Sequence, residues 1–263
     1  MGTVDATASL LARDPLHTGL LLDFDGSLAP IVLMPDEAVA LPGTAEVLAA
    51  LAKRLALVAI VSGRPVEYLA RRVPAEGVRL VGQYGLEWME NGRVVVDQRA
   101  LPYVQAVAEA ASEAESRWPD LLIERKGQVA VGVHWRRDPG AGDDVATDVE
   151  ALGRRLGLEV HPSRMARELR PPVPVDKGTV VEQLLEGLSV AAFAGDDSGD
   201  LPAFAALERL RSQGRLDDAV RIAVSSPESP PEVLANADLV VEGPEGLRTL
   251  LNQLARRASI GDK

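Results

Sequence analysis

The run Gly19-Leu20-Leu21-Leu22-Asp23-Phe24 constrains this chain more than any other feature. A continuous apolar stretch this short reads as a strand buried on both faces, the habit of inner strands in a parallel sheet. Parallel strands need crossover connections, usually helices, and the sequence supplies them in alternation. Val47, Leu48, Leu51 and Leu55 have helical spacing and predict a helix opened by Pro42 and running through Leu55. Residues 57–61 read as the next strand, stopped by Ser62-Gly63-Arg64-Pro65. Residues 66–73 read as a helix and 78–81 as a third strand. Residues 88–96, with Asn91-Gly92 in the middle, predict a hairpin.

The texture changes after residue 100. An amphipathic helix is expected at 101–118, a strand pair turning near Gly127 at 121–136, a second helix at 143–156, and short strands at 158–162 and 165–170. Pro171-Pro172-Val173-Pro174 then forms a stiff exit, and the first pattern resumes. A helix at 177–186, a strand at 190–194, a helix from Leu201, strands at 220–224 and 238–241, and a helix at 245–257 complete the chain. The expected fold class is therefore α/β. Residues 1–100 and 172–263 form a doubly wound parallel sheet, and 101–171 form an inserted α+β domain.

Composition narrows what such a fold can do. The length of 263 residues suits one large domain or a core with an insertion. The 28 Lys and Arg against 39 Asp and Glu give a net charge of −11, which argues against a general nucleic-acid binder. With no cysteine, disulfides, zinc-thiolate sites, iron–sulfur clusters and cysteine nucleophiles are excluded, in keeping with a reducing cytosol. No stretch reaches the roughly 18 continuous apolar residues of a membrane span, and the first fifteen residues lack a signal-peptide pattern. The expectation is a soluble, cytoplasmic monomer acting on a small molecule, with no nucleic-acid or membrane partner.

Open α/β sheets bind ligands at the carboxyl ends of their strands. Three strand ends here carry suggestive residues: Asp23-Phe24-Asp25-Gly26-Ser27, then Ser62-Gly63-Arg64, then Gly195-Asp196-Asp197-Ser198-Gly199-Asp200. Lys177 stands at the start of the helix before the last of these. Each alone is a common turn or cap; the force lies in their order and placement. Acidic groups gathered at one sheet edge need a cation, and an all-oxygen donor set points to a hard ion such as Mg²⁺. Acid pair, hydroxyl, lysine and acid cluster together support phosphoryl transfer through a covalent aspartate.

These residues resemble the haloacid dehalogenase (HAD) superfamily of phosphatases. The match is D-x-D-G-S, then Ser62, then Lys177, then G-D-D-x-x-D, and the insertion resembles the α/β cap of its sugar-phosphatase branch. Within that branch the chain is most similar to trehalose-6-phosphate phosphatases. The residues concerned are D-F-D-G-S-L-A-P-I at 23–31, S-G-R at 62–64, G-x-x-G-x-E at 82–87, V-x-W-R at 133–136 and E-L-R-P at 168–171. The resemblance implies Asp23 as nucleophile and Asp25 as acid/base. It implies Mg²⁺ held by Asp23, the backbone carbonyl of Asp25 and Asp196, with Asp197 and Asp200 supporting. Ser62, Gly63 and Lys177 would bind the phosphoryl group, and Arg64, Glu87, Lys126, His134, Glu168 and Arg170 would face the sugar. The implied reaction is hydrolysis of trehalose 6-phosphate. Sucrose phosphate, a mannosyl phosphoglycerate or a pseudo-disaccharide phosphate stay open as substrates. A non-enzymic receiver or sugar-sensing module is the remaining alternative, although receivers lack both the second acid and the insertion.

Strand parity gives the cap an independent reading. Ile123, Val129, Val131, Val133 and Trp135 fall on one face, and Glu124, Lys126, Ala130, Gly132, His134 and Arg136 on the other. Glu168 and Arg170 share a face by the same rule. His17 and His161 read as surface residues and the three tryptophans as packing. Three positions depart from the family pattern: Tyr84 stands where histidine is common, and Gly199 and Leu201 where threonine and glutamate are usual.

Overall fold

The computed structural model describes residues 2–32, 37–136, 138–163, 165–227 and 229–259. In chain order the strands are β1 (Thr18–Leu22), β2 (Leu57–Val61), β3 (Arg79–Gly82), β4 (Glu87–Glu90), β5 (Arg93–Val96), β6 (Leu122–Lys126), β7 (Ala130–His134), β8 (Glu159–Ser163), β9 (Ala166–Arg170), β10 (Val190–Gly195), β11 (Asp218–Ser225) and β12 (Leu239–Glu242). The helices are α1 (Val4–Leu11), α2 (Thr44–Ala52), α3 (Val66–Arg72), α4 (Val104–Arg117), α5 (Gly142–Leu156), α6 (Lys177–Leu184), α7 (Leu201–Ser212), α8 (Pro231–Ala235) and α9 (Gly243–Ala258). They form two compact units. The first comprises Met1–Gly63, Tyr68–Gly85 and Val175–Lys263; the second comprises Arg64–Glu67 and Leu86–Pro174.

In the first unit six parallel strands run in the order β12-β11-β10-β1-β2-β3. Every residue of β1 is buried, as its continuous apolar run requires. Leu20 pairs in register with Ala192 of β10 and Val58 of β2, so β1 lies at the centre. The chain builds outward from β1 through β2 and β3, then returns to the other side of β1 at β10. That reversal makes the β1/β10 boundary a topological switch point, where open α/β sheets present ligand sites. Leu20, Leu21, Leu22, Phe24, Ile60, Phe193 and Phe204 fill the core.

Helices α6 and α7 approach each other closely at Gly178. A Cβ there would lie 2.5 Å from the Pro202 carbonyl oxygen, a backbone atom that no rotamer change can move. This contact brings the start of α6, and with it Lys177, against the loop that precedes α7.

The second unit holds the β4–β5 hairpin and a four-stranded antiparallel sheet in the order β6-β7-β9-β8. Asn91 and Gly92 both take positive φ, 51° and 74°, the type I′ geometry that Asn-Gly favours. Val131, Val133, Trp135 and Leu169 pack with Val107, Ala110 and Ala114 of α4 and Val145, Val149 and Leu152 of α5. Of the apolar odd positions in 123–135, Val131, Val133 and Trp135 enter this core and Ile123 packs against it.

Several expectations are corrected. The second unit is wider than 101–171, because it takes in 64–67 and the 86–100 hairpin segment. Asp97 N–H donates to the Leu86 carbonyl at 2.9 Å, and Glu87 bonds to residues on either side; hydropathy cannot show which unit a hairpin joins. The expected helix at 42–55 is shorter, since Gly43 adopts a left-handed conformation (φ 84°) and α2 starts only at Thr44. The expected helix at 101–118 begins with a 3-10 turn, Leu101–Tyr103. The helices α1 and α8 have no counterpart in the sequence reading. α1 is eight residues long with only Thr7, Ala8 and Leu11 buried, too few apolar positions to set a period. Among the described residues no helix is long and apolar enough to cross a membrane.

Gly178→Ala should lower the unfolding midpoint even though alanine is the better helix former. Overpacking costs about 1–3 kcal/mol, which exceeds the roughly 0.5–1 kcal/mol that Ala gains over Gly in a helix. Thermal melts of the two proteins side by side check this; an unchanged or higher midpoint contradicts the close approach.

Candidate active site

Asp23 leaves the end of β1, its N–H donating to the Ala194 carbonyl of β10 at 2.8 Å. Phe24 turns into the core with no exposure, so Asp23 and Asp25 emerge on the opposite side. The loop then closes tightly: Leu28 and Ala29 N–H both donate to the Phe24 carbonyl at 2.9 Å, and Gly26 N–H donates to that of Ala29 at 2.8 Å. Gly26 has φ 75°, and a Cβ on it would sit 2.0 Å from Oδ2 of Asp196. Only glycine lets the loops after β1 and β10 meet this closely.

Lys177 is the first residue of α6, because Asp176 caps that helix by accepting from Thr179 N–H at 2.8 Å. Its ammonium donates to Oδ1 of Asp23 and Oδ1 of Asp200, both at 2.6 Å. The lysine is 3% exposed and Asp200 wholly buried. The other oxygen of Asp200 accepts the N–H of Asp196 at 2.9 Å and of Asp197 at 3.1 Å. Asp200 is thus a brace, holding lysine with one oxygen and the acidic loop with the other. Asp197 is exposed and accepts from Gly199 N–H at 2.8 Å, capping the turn into α7. Gly199 therefore supports the loop through its backbone, where a threonine is usual. Leu201 lies with Phe204 and Ala205 along a groove on α7 rather than in the acid cluster.

One oxygen each from Asp23, Asp196 and Asp200 lies within 4.8 Å of the others. Two ionised carboxylates at such a separation repel by about 1–4 kcal/mol, and one lysine faces the whole group. Burial and the neighbouring Asp200 and Asp196 push the Asp23 carboxyl well up, although Lys177 opposes them. Asp196 is raised to about 7 by burial and by Asp197 and Asp200, against the lowering pull of Lys177 and a hydrogen bond with Asp23. Lys177 would be lowered by burial, but Asp200, Asp23 and Asp197 outweigh that and hold it firmly protonated. The excess of buried acid calls for a further proton or a cation, and the donors are all carboxylate oxygens. This set fits a hard divalent ion. Asp25 is half-buried and lies outside the three-carboxylate cluster.

Ser62 and Gly63 follow β2, the strand beside β1. Ser62 is 1% exposed, and its carbonyl accepts from Tyr84 N–H at 3.0 Å. Gln83 and Tyr84 both take left-handed backbone angles, φ 50° and 59°. This strained turn lays the Tyr84 ring on Gly63, where a Cβ would be 2.5 Å from the ring. The tyrosine found in place of the usual histidine therefore covers the Ser62-Gly63 loop.

In the second unit the even positions form a polar sheet face. His134 Nε2 lies 3.0 Å from Oε2 of Glu124, and Lys126 Nζ lies 3.9 Å from the same oxygen. Lys126 also donates to Glu168, and Arg170 Nε lies 3.4 Å from the other Glu168 oxygen. Burial alone would raise the Glu124 carboxyl, but His134, Lys126 and Arg64 together lower it. Lys126, His134, Glu168 and Arg170 thus lie together around Glu124, and the charge of Arg64 also acts on that carboxylate. Ala130 and Gly132 lie between them on the same face, and a Cβ on Gly132 would be 2.8 Å from the His134 ring. One member was not anticipated as a site residue: Glu124 links His134 to Lys126, and its even parity was the available signal. His161 lies opposite Glu168 in the β8–β9 ladder and, as expected, keeps an accessible side chain, 3.3 Å from Glu159. Its imidazole is lowered by burial and by Arg170.

Glu87 is corrected. It was expected to face the sugar, but it is 1% exposed and its carboxylate is taken by two backbone amides, Val66 at 3.1 Å and Gln128 at 3.2 Å. Burial raises its carboxyl, and the two N–H donors offset part of that rise.

The parallel sheet with its switch point, the aspartate-lysine cluster and the added α/β unit define a HAD-like fold with a cap domain. The fold likeness extends to a haloacid dehalogenase-like hydrolase from Bacteroides thetaiotaomicron (TM-score 0.59, 16% identity, 90% of this chain and 99% of that one). A more specific likeness is to a trehalose-6-phosphate phosphatase related protein, with TM-score 0.75 and 25% identity over 93% of this chain and 99% of that structure. The family model described as trehalose-phosphatase matches residues 21–240, and the chain belongs to that family. A trehalose-phosphate phosphatase of Mycobacterium tuberculosis is 33% identical over 209 residues, 74% of this chain and 52% of that protein. An uncharacterized glycosyl hydrolase of the same organism is 33% identical over 202 residues, 72% of this chain and 15% of that protein. This chain therefore spans about half or less of these curated relatives. Members of the family are phosphatases, hydrolases of phosphoric monoesters.

The raised Asp196 carboxyl sets a pH dependence. Its folded value of about 7 exceeds the ordinary carboxylate value of 3.8, so the native state holds the extra proton. Its contribution to stability is then present below the ordinary value and is lost as pH rises toward 7. Metal-free protein should lose stability over that window by at most about 1.4 kcal/mol per pH unit from this group. Urea unfolding at pH 5, 6 and 7 should show a smaller loss in Asp196→Asn. Identical slopes in the two proteins would refute the assignment.

Proposed function

We propose that this chain hydrolyses trehalose 6-phosphate to trehalose and phosphate through a phosphorylated Asp23. The observation that carries the reading is the Lys177 ammonium 2.6 Å from both Asp23 and Asp200, with Asp196 in the same cluster. Lysine so placed neutralises the nucleophile's surroundings as an anionic phosphoryl group arrives. Ser62 and the Gly63 amide supply neutral donors to the phosphoryl oxygens.

In the first step an oxygen of Asp23 attacks phosphorus and the bond from phosphorus to the sugar oxygen breaks. The Asp25 carboxyl gives its proton to the departing sugar alkoxide. In the second step Asp25 takes a proton from water, whose oxygen attacks phosphorus. The bond to Asp23 breaks, phosphate leaves and the carboxylate is restored. Asp23, the Asp25 carbonyl and Asp196 would hold Mg²⁺, which when bound supplies charge neutralisation to the phosphoryl group. Asp200 keeps Lys177 and the 196–197 loop in place.

The polar face of the second unit supports a sugar as leaving group. Glu168, Lys126, His134, Arg64 and Arg170 offer paired donors and acceptors above the small residues Ala130 and Gly132. Members of the family and their names favour trehalose 6-phosphate. A related disaccharide phosphate is the second reading, favoured by Tyr84 covering Gly63 in place of the usual histidine.

A phosphate-release screen with Mg²⁺ tests the reading, comparing trehalose 6-phosphate, sucrose 6-phosphate and glucose 6-phosphate. Preference for the monosaccharide defeats a disaccharide substrate. Asp23→Asn should cut turnover by about 10³-fold or more with the fold kept, and chelation should silence the wild type. Lys126→Ala and Glu168→Ala should each raise KM for the disaccharide phosphate by about 10-fold, leaving p-nitrophenyl phosphate nearly untouched. Equal losses on both substrates would remove sugar reading from these residues.

A further inference from the structure

We propose that Glu87 is a positioning residue that sets the sugar-reading face by clamping two backbone segments at once. The inference rests on the sugar-reading role given above to that face. Glu87 opens β4, and its side chain turns inward to accept Val66 N–H with Oε2 at 3.1 Å and Gln128 N–H with Oε1 at 3.2 Å. Each anchor lies two residues beyond a side chain of the polar face: Val66 follows Arg64, and Gln128 follows Lys126. Lys126 Nζ is 3.9 Å from Glu124 and donates to Glu168, and the charge of Arg64 also lowers the Glu124 carboxyl. The segment 64–67 and the β6–β7 turn are far apart in sequence, and the carboxylate of Glu87 hydrogen-bonds to both.

The turn is shaped to admit the carboxylate. Gly127 has φ 60°, and a Cβ on it would lie 1.9 Å from Oε1 and 2.7 Å from the carboxyl carbon of Glu87. Glycine is thus required twice, for its backbone angle and for the space the clamp occupies. The geometry also limits what can replace Glu87. Both of its partners are N–H donors, so a carboxylate satisfies both, whereas a glutamine turns its own NH₂ toward one of them. Glu87→Gln therefore breaks one bond and opposes two donors with almost no change in volume. Supporting groups of this kind hold binding side chains in register without touching ligand.

The test uses the full chain with Mg²⁺ and compares the wild type, Glu87→Gln, Gly127→Ala and the double variant. Kinetics are measured on trehalose 6-phosphate and p-nitrophenyl phosphate, and amide hydrogen exchange is followed at 64–68 and 126–130. In Glu87→Gln, exchange in both segments should speed up about 10-fold, and KM for the sugar phosphate should rise by a similar factor. The value of kcat/KM for the aryl ester should stay within about twofold, because that ester does not use the sugar face. Gly127→Ala should reproduce the pattern, and the double variant should be no worse than the worse single one, since both disable one clamp.

Unchanged exchange in both segments overturns the clamp. A rise in KM for the sugar phosphate without any change in exchange makes Glu87 a direct sugar contact, and equal losses on both substrates make it a general fold residue; either result overturns the proposal. If the wild type hydrolyses only the aryl ester, the sugar reading fails on its own, and the exchange data still decide whether Glu87 holds the two segments. Should Glu87→Gln not fold, Gly127→Ala carries the same test.

Discussion

The site depends on one ammonium group shared between two buried carboxylates. Lys177 holds Asp23 with one hydrogen bond and Asp200 with another, each 2.6 Å long. An ion pair of that kind is costly to bury unless all its remaining polar atoms find partners. Asp200 meets the condition by spending its second oxygen on the amides of 196 and 197. Asp23 and Asp196 are crowded with further carboxylates instead, and their raised carboxyls are the physical mark of a deficit in positive charge. The fold accepts that deficit because β1, buried along its whole length, and the α6–α7 contact at Gly178 leave the groups no room to separate.

Much of this arrangement was legible in the sequence. A strand buried on both faces announces itself as an uninterrupted apolar run, so β1, β2 and β10 were found, although β1 stops at Leu22, two residues before the expected end at Phe24. Parity found the polar face of β6 and β7, because a strand displays its two sides in strict alternation. Helices α1 and α8 were missed, since eight and five residues hold too few apolar positions to reveal a period. The extent of the second unit was missed for a different reason. The β4–β5 hairpin lies in sequence between the two patterns, and hydropathy alone does not assign it to either.

Glu87 also shows where a family pattern outruns geometry. The G-x-x-G-x-E stretch marks the residue as important, and a motif alone cannot separate a group that touches ligand from one that arranges those that do. The distinction lies in burial and in the kind of partner. Two backbone donors, one on each oxygen, hold a carboxylate with 1% exposure against the backbone and away from solvent. By contrast Glu168, also buried, is held by the cationic ends of Lys126 and Arg170, whose side chains keep 19% and 15% exposure. A ligand can compete for such partners.

The alternation along β7 and β9 has one more consequence. Val131, Val133 and Leu169 point into the core of the second unit, while Gly132, His134, Glu168 and Arg170 point away from it. The residues that hold the domain together and the polar ones proposed to meet the sugar therefore interleave one by one along the same strands. Preference can drift by single substitutions at every other position while the hydrophobic scaffold stays constant. Selection for a new sugar and selection for a folded protein act on separate letters of the same short words.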